Sequence, residues 1–211
     1  MKPKLIFILL LVSLKTYGEK VNVSQFSEQG IEGWKTKIFE SETVYKVTDY
    51  QGAKYVQAIS NKSASGLTRE LKVNLETTPF LNWSWIITEI LNGNDERKKS
   101  GDDFAARIYV IAKTGFGIWN TAAINYVWSN KSLVGEFWPN PFTSKAVMYS
   151  VEQGVAGLGK IKSYKQNIRE DFKRTFKKDI KKIEAIAIMT DSDNSQKQAK
   201  ALYGEIFFTS E

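Results

Sequence analysis

Apolar residues along this chain recur mostly at every second position, in short runs separated by turn-forming residues. Such alternation is the signature of strands with one buried face. Trp34 to Phe39 and Val44 to Thr48 read as strands. Asp49 to Gly52 reads as a turn, and Lys54 to Ile59 returns with Tyr55, Gln57 and Ile59 on one face. Gly66 to Val73 follows, then a long strand from Phe80 to Ile90 in which Leu81, Trp83, Trp85 and Ile87 alternate. Phe104 to Ala112 places Phe104, Ala106, Ile108 and Val110 on one face and Arg107 and Tyr109 on the other.

Lys113 to Asn120 reads as a turn with the aromatic tips Phe116 and Trp119. Ala122 to Trp128 and Ala146 to Glu152 are strands joined by a long loop, Ser129 to Lys145, that carries Phe137-Trp138-Pro139-Asn140-Pro141-Phe142. The last stretch, Ile183 to Phe208, is an apolar strand, an acidic loop with Asp191, Asp193 and Asn194, and a second apolar strand. Val21 to Gly33 predicts little regular structure. One segment breaks the period of two. Tyr164, Ile168, Phe172 and Phe176 stand four apart, which is helical spacing, and Ser163 with Gln166 fits a capping box. The pattern predicts a mainly β fold, a two-sheet antiparallel β-sandwich of jelly-roll type, with one amphipathic α-helix near residues 164–178.

Composition adds a compartment. Lys2 and Lys4 precede a ten-residue apolar run, Leu5 to Leu14, and Thr16-Tyr17-Gly18 ends in a small residue. That is the layout of a secretory signal peptide, and its apolar run is too short to span a bilayer. The expectation is an exported protein, periplasmic or secreted, cleaved near Gly18 and forming one domain over residues 19–211 with no membrane span. Without Lys2, Lys4 and Lys15 the chain keeps 27 basic residues against 23 acidic ones, a net +4. This is too mild a charge for a nucleic-acid partner. A monomer is expected.

The absence of His and Cys excludes Ser-His-Asp and Cys-His catalysis, His or Cys zinc sites, and disulfides. Carboxylates, Lys, Tyr, Arg and oxygen-ligated metals remain. If strands from Phe80 onward run up and down, Asn92 to Gly101, Ser129 to Lys145 and Asp191 to Lys200 meet at one end of the sandwich. They gather Asp102, Asp103, Trp138, Phe142, Asp191, Asp193 and Asn194 there. Aromatic rings beside carboxylates and an amide suit a polyol: rings stack on C–H faces while the oxygens bind hydroxyls. Arg107 binds an anion or, the favoured reading, pairs with a neighbouring carboxylate. Asn125, Tyr126 and Trp128 belong to the core or to the floor of a cleft.

Asp191 and Asp193 also suggest calcium, but the loop departs from an EF-hand at Gln196 and Leu202, so turn capping is favoured and no cofactor is expected. Adjacent Asp102 and Asp103 point to opposite faces of a strand and cannot work as a side-by-side pair. The basic run Lys173, Arg174, Lys177, Lys178, Lys181 and Lys182 reads as a solvated face around a helix end.

Five blocks occur in order: Ser63-Ala64-Ser65-Gly66-Leu67, Trp83-Ser84-Trp85, Gly101 through Val110 (GDDFAARIYV), Asn125-Tyr126-Val127-Trp128, and Met189-Thr190-Asp191-Ser192-Asp193-Asn194. Together they resemble the bacterial domain of unknown function 3047 family over nearly the whole chain after residue 18. Tyr164 and Gln166 stand where that family has an acidic residue and an Arg, whereas Asp171 and Phe172 fit. The resemblance implies an exported β-sandwich like galactose-binding and carbohydrate-binding modules. The leading functional expectation is a non-catalytic sandwich that binds a carbohydrate or cell-envelope glycan. The alternatives are a glycan hydrolase using Asp103 with Asp191 or Glu205, and a scaffold protein docking a partner. Candidate ligand-binding residues are Asp102, Asp103, Arg107, Tyr126, Trp128, Trp138, Asp191, Asp193 and Asn194.

Overall fold

The computed structural model describes residues 18–115 and 120–211. Residues 1–17 of the expected leader and the aromatic tip Phe116 to Trp119 lie outside the described residues. The strands are β1 (Lys20–Asn22), β2 (Lys35–Ile38), β3 (Val44–Tyr50), β4 (Ala53–Asn61), β5 (Ala64–Asn74), β6 (Phe80–Ile87) and β7 (Arg107–Lys113). They continue as β8 (Thr121–Ser129), β9 (Phe137–Pro139), β10 (Ala146–Gln153), β11 (Lys162–Asn167), β12 (Lys182–Asp191), β13 (Gln198–Tyr203) and β14 (Phe207–Thr209). Among the described residues there are two α-helices, α1 (Phe26–Gln29) and α2 (Ile168–Phe176), and a 3-10 turn at Lys99–Gly101.

The strands form two sheets packed as a jelly-roll-like sandwich. One sheet runs β1-β14-β6-β13-β4-β3, with β11 added along β6; the other runs β2-β5-β12-β7-β8-β10-β9. Between them lies the core, to which β6 contributes Leu81, Trp83, Trp85 and Ile87 and the second sheet Ile108, Val110, Ile124, Tyr126, Trp128, Ile186 and Ile188. The alternation read from the sequence is therefore the alternation of the sandwich. At about 25 cal/mol per Å² of apolar surface removed from water, these large side chains dominate the stability of a chain without disulfides.

Four features differ from expectation. The second sheet is mixed, because β10 pairs parallel to β8, with Asn125 opposite Met148. A parallel partner requires a long return, and residues 130–145 supply it, with β9 pairing along β10 on the way. The helix begins at Ile168, not near residue 164. Residues 162–167 form β11 against β6, where Tyr164 lies opposite Trp83 and stacks on it at 5.2 Å between ring centroids. Cross-strand stacking thus wins over the four-residue spacing, and Asn167, not Ser163, caps α2 by accepting from the Glu170 N–H at 3.1 Å. The segment 21–33 is more regular than expected, since β1 pairs with β14, α1 follows, and both Val23 and Phe26 are buried. Finally, the last strand divides into β13 and β14 at Gly204. A Cβ there would run into the Ser84 side chain.

Candidate functional site

The outer face of the second sheet, away from the core, carries the site. Alternation decides which residues reach it. In β12, Thr190 turns inward and its Oγ1 donates to Ala105 O at 2.8 Å, while Met189 and Asp191 turn outward. The register puts Met189 opposite Arg107 at the start of β7, and Tyr109 opposite Asn125 of β8. These four outward residues floor one cavity.

Arg107 sits between two carboxylates. Its Nε donates to Asp191 Oδ1 at 3.0 Å and its Nη2 contacts Asp191 Oδ2. Nη2 also donates to Asp102 O at 3.0 Å, and Nη1 lies 3.5 Å from Asp102 Oδ2. Asp191 Oδ1 further accepts from Phe104 N at 3.1 Å. All three side chains are almost fully buried. Such a group is costly to assemble but far costlier to break, because removing one member strands a buried charge. Asp103 is consumed in the same way. Its carboxylate accepts from Asn194 N (3.2 Å), Asn194 Nδ2 (3.1 Å) and Ser195 N, so it caps the turn after β12 and ties that turn to residues 102–103.

The cavity holds about 380 Å³, at the small end of the range for small-molecule sites. Phe39 and Phe142 form exposed aromatic edges, at 60% and 55% exposure. Asn140 joins the walls, its Nδ2 donating to Asp102 Oδ2 at 3.3 Å. Three buried side-chain oxygens of lining residues have no hydrogen-bond partner: Asp102 Oδ1, Asn125 Oδ1 and Asp193 Oδ1. Buried polar groups are nearly always paired, so three on one lining stand out. All three are acceptors. Burial pushes the Asp102 carboxyl above its ordinary value despite Arg107 beside it, and burial together with the neighbouring Asp103 charge raises Asp193.

Among the sequence candidates, Asp102, Arg107, Asp191, Asp193 and Asn194 line this cavity, and Asp103 braces it from behind. The loops do meet, where β2 and β12 end and β5 and β7 begin, and the turn between β9 and β10 brings residues 140–143 to the outer face of the same sheet. Three candidates lie elsewhere. Tyr126 and Trp128 face the core, one position out of phase with Asn125; the Tyr126 hydroxyl donates to Asp171 Oδ2 at 2.6 Å and Trp128 Nε1 to Gly154 O at 2.9 Å. Trp138 is buried in a small second cluster with Phe104, Val127 and Met148, its Nε1 donating to Glu96 O at 3.3 Å. The exposed rings of that loop are Phe137 and Phe142, of which Phe142 lines the cavity. Glu205 is far from the set in its bonding, accepting from Ser24 Oγ (2.6 Å) and Ser27 N (2.9 Å) beside a different groove. Residues missed were Phe39, Glu40, Tyr109, Asn140 and Met189. Tyr109 was legible, since it shares a strand face with Arg107; the others depend on register between distant segments.

Asp103, Asp191 and Asp193 each present an oxygen within 4.8 Å of the others, which is metal-like spacing. The donors do not suit a hard cation, however. Asp191 is already neutralised by a guanidinium, and the Asp103 oxygens are taken by backbone and amide N–H groups.

A family model described as "protein of unknown function (DUF3047)" matches residues 32–207, which includes every residue of the cavity. The chain belongs to this family. No curated protein matches this DUF3047 chain. Solved structures match at low identity. The xyloglucanase domain of NopAA, a type three effector from Sinorhizobium fredii in complex with cellobiose, is 12% identical with a TM-score of 0.46, covering 83% of this chain and 92% of that one. A cellulase derived from Cel12A of Rhodothermus marinus is 9% identical with a TM-score of 0.47, covering 90% of this chain and 100% of that one. An adhesin domain of Lys-gingipain from Porphyromonas gingivalis is 11% identical with a TM-score of 0.39, covering 92% and 98%.

Proposed function

We propose that the cavity over the second sheet binds a polyhydroxylated ligand, a saccharide unit of a glycan, without transforming it. The observation that carries this reading is the set of unpartnered acceptors, Asp102 Oδ1, Asn125 Oδ1 and Asp193 Oδ1, beside two exposed phenyl rings. Hydroxyls supply the missing donors, and the C–H face of a sugar ring suits Phe142 and Phe39. A cavity of about 380 Å³ fits one end of an oligosaccharide better than a flat partner surface. A hydrolase built on Asp103 with Asp191 or Glu205 has little support, because the Asp103 oxygens are bound to Asn194 and Ser195, Asp191 is bonded to Arg107, and Glu205 is bound to Ser24 and Ser27. Calcium is not part of the proposal, for the reasons of donor occupancy above.

Isothermal titration of the purified protein against a panel of neutral and charged oligosaccharides tests the reading. Binding by at least one glycan is expected, and Phe142→Ser should weaken it by about three- to tenfold, the worth of one ring contact. Failure of every glycan to bind would overturn it, and release of reducing ends during the titration would move the protein to the hydrolase class. We also infer export, on the layout of residues 1–18. N-terminal sequencing of protein recovered from the cell envelope or medium should begin near Glu19, and a chain beginning at Met1 would refute that inference.

A further inference from the structure

The cavity is far more acidic than the molecule around it. A chain of formal charge +7 lines this one space with Glu40, Asp102, Asp191 and Asp193 against a single cation, Arg107. That cation is already spent, since its guanidinium is bonded to Asp191 and Asp102 and is enclosed by protein. Neither Asp193 nor Glu40 forms an ion pair among the described residues. Lys37 and Lys99 reach the rims, 5.0 Å over Phe39 and 5.5 Å over Phe142, but neither lines the cavity. Asp102 and Asn125, 4% and 0% exposed, each hold an oxygen without a partner on the same lining.

We propose, building on the saccharide reading, that the ligand is an amino sugar with a free ammonium group, held by the carboxylates of Asp193 and Asp102 with Asn125 Oδ1. Valence favours an ammonium group. A neutral sugar brings hydroxyls that both donate and accept, yet the lining's unsatisfied atoms only accept. An –NH3+ group is donor-only, with three N–H bonds that match three acceptors, and it brings the charge the cavity lacks. An acidic or N-acylated sugar would place an anion or a carbonyl against carboxylates with no free donor to meet it. The hydroxylated ring that carries the amine keeps the contacts with Phe142 and Phe39.

Titration with four probes separates the outcomes: a β-1,4-glucosamine tetramer, its fully N-acetylated form, a β-1,4-glucose tetramer, and spermidine. The glucosamine tetramer should bind at least about tenfold more tightly than either other sugar, the worth of one charge-assisted contact, and added salt should narrow that gap. Asp193→Asn should abolish the preference, bringing the glucosamine tetramer down to the affinity of the glucose tetramer. Glu40→Gln, on the exposed rim, should reduce the preference without touching any buried contact. Equal binding of all three sugars would overturn the amino-sugar assignment and leave the saccharide reading standing. No binding by any sugar would overturn both. Spermidine binding as tightly as the glucosamine tetramer would show an amine site that needs no ring, and would also overturn the assignment.

Discussion

Arg107 is the residue on which the site's shape depends, because its guanidinium joins Asp191 at the end of β12 to Asp102 at the entry to β7. Arg107→Met would leave two buried carboxylates without their cation. The expected loss is about 3–5 kcal/mol of folding stability, read from urea denaturation. Arg107→Lys should recover only part of it, since a point charge cannot reproduce the bonds made by Nε and Nη2. Asp171 tests the opposite sign of buried charge. It accepts from the Tyr126 hydroxyl at 2.6 Å and from Arg174 Nη2 at 2.7 Å, yet burial outweighs both and raises its pKa. The folded chain then binds that proton more tightly than the unfolded chain, in which Asp titrates near about 3.9. Its stabilising contribution is complete below that value and is lost as pH rises through the raised folded pKa. Asp171→Asn carries no such loss. Its stability relative to wild type should climb as pH rises from about 4 towards neutral, in urea melts at a series of pH values.

The strands themselves were legible because a buried face imposes a period of two on the chain, which β7 shows from Ile108 onward and β6 and β8 show over their first residues. The same rule separates Asn125 at the cavity from Tyr126 and Trp128 in the core, a distinction one residue wide. What the period could not reveal was partner choice. Tyr164 has the spacing of a helix but the neighbours of a strand, and only the pairing of β11 with β6 decides between them. The turn before the site is a further element with a definite job. Lys99–Gly101 is a single 3-10 turn that delivers Asp102 and Asp103, and a Cβ on Gly101 would collide with the backbone of Asp95. Gly101→Ala should therefore cost about 1–3 kcal/mol and shift both aspartates. Denaturation measures the first effect. A drop in saccharide affinity larger than that of Phe142→Ser would register the second.

For the molecule as a whole, the division of labour between the two sheets explains why the fold was easier to read than the site. The core is a property of facing layers and is written in every strand, through Trp83, Trp85, Ile108 and Ile186 alike. The cavity lies on the other side of one sheet and needs three distant segments: residues 39–40 after β2, 140–143 before β10, and 191–194 after β12. The parallel pairing of β8 and β10 positions the middle one, and no local pattern announces it. Because the floor is made of β7, β8 and β12, a ligand in the cavity is coupled to strands that also close the core. Occupancy should accordingly protect the entire sandwich against unfolding and not a loop alone. At a ligand concentration one hundred times Kd the gain is about 2.7 kcal/mol. For a domain of this size each kcal/mol raises Tm by about 2–4 °C, so a shift of about 5–10 °C is expected in a thermal melt with the glucosamine tetramer. Asp193→Asn should melt near the wild-type temperature without ligand and lose most of that shift with it. A variant that keeps the full shift would place the ligand elsewhere on the molecule.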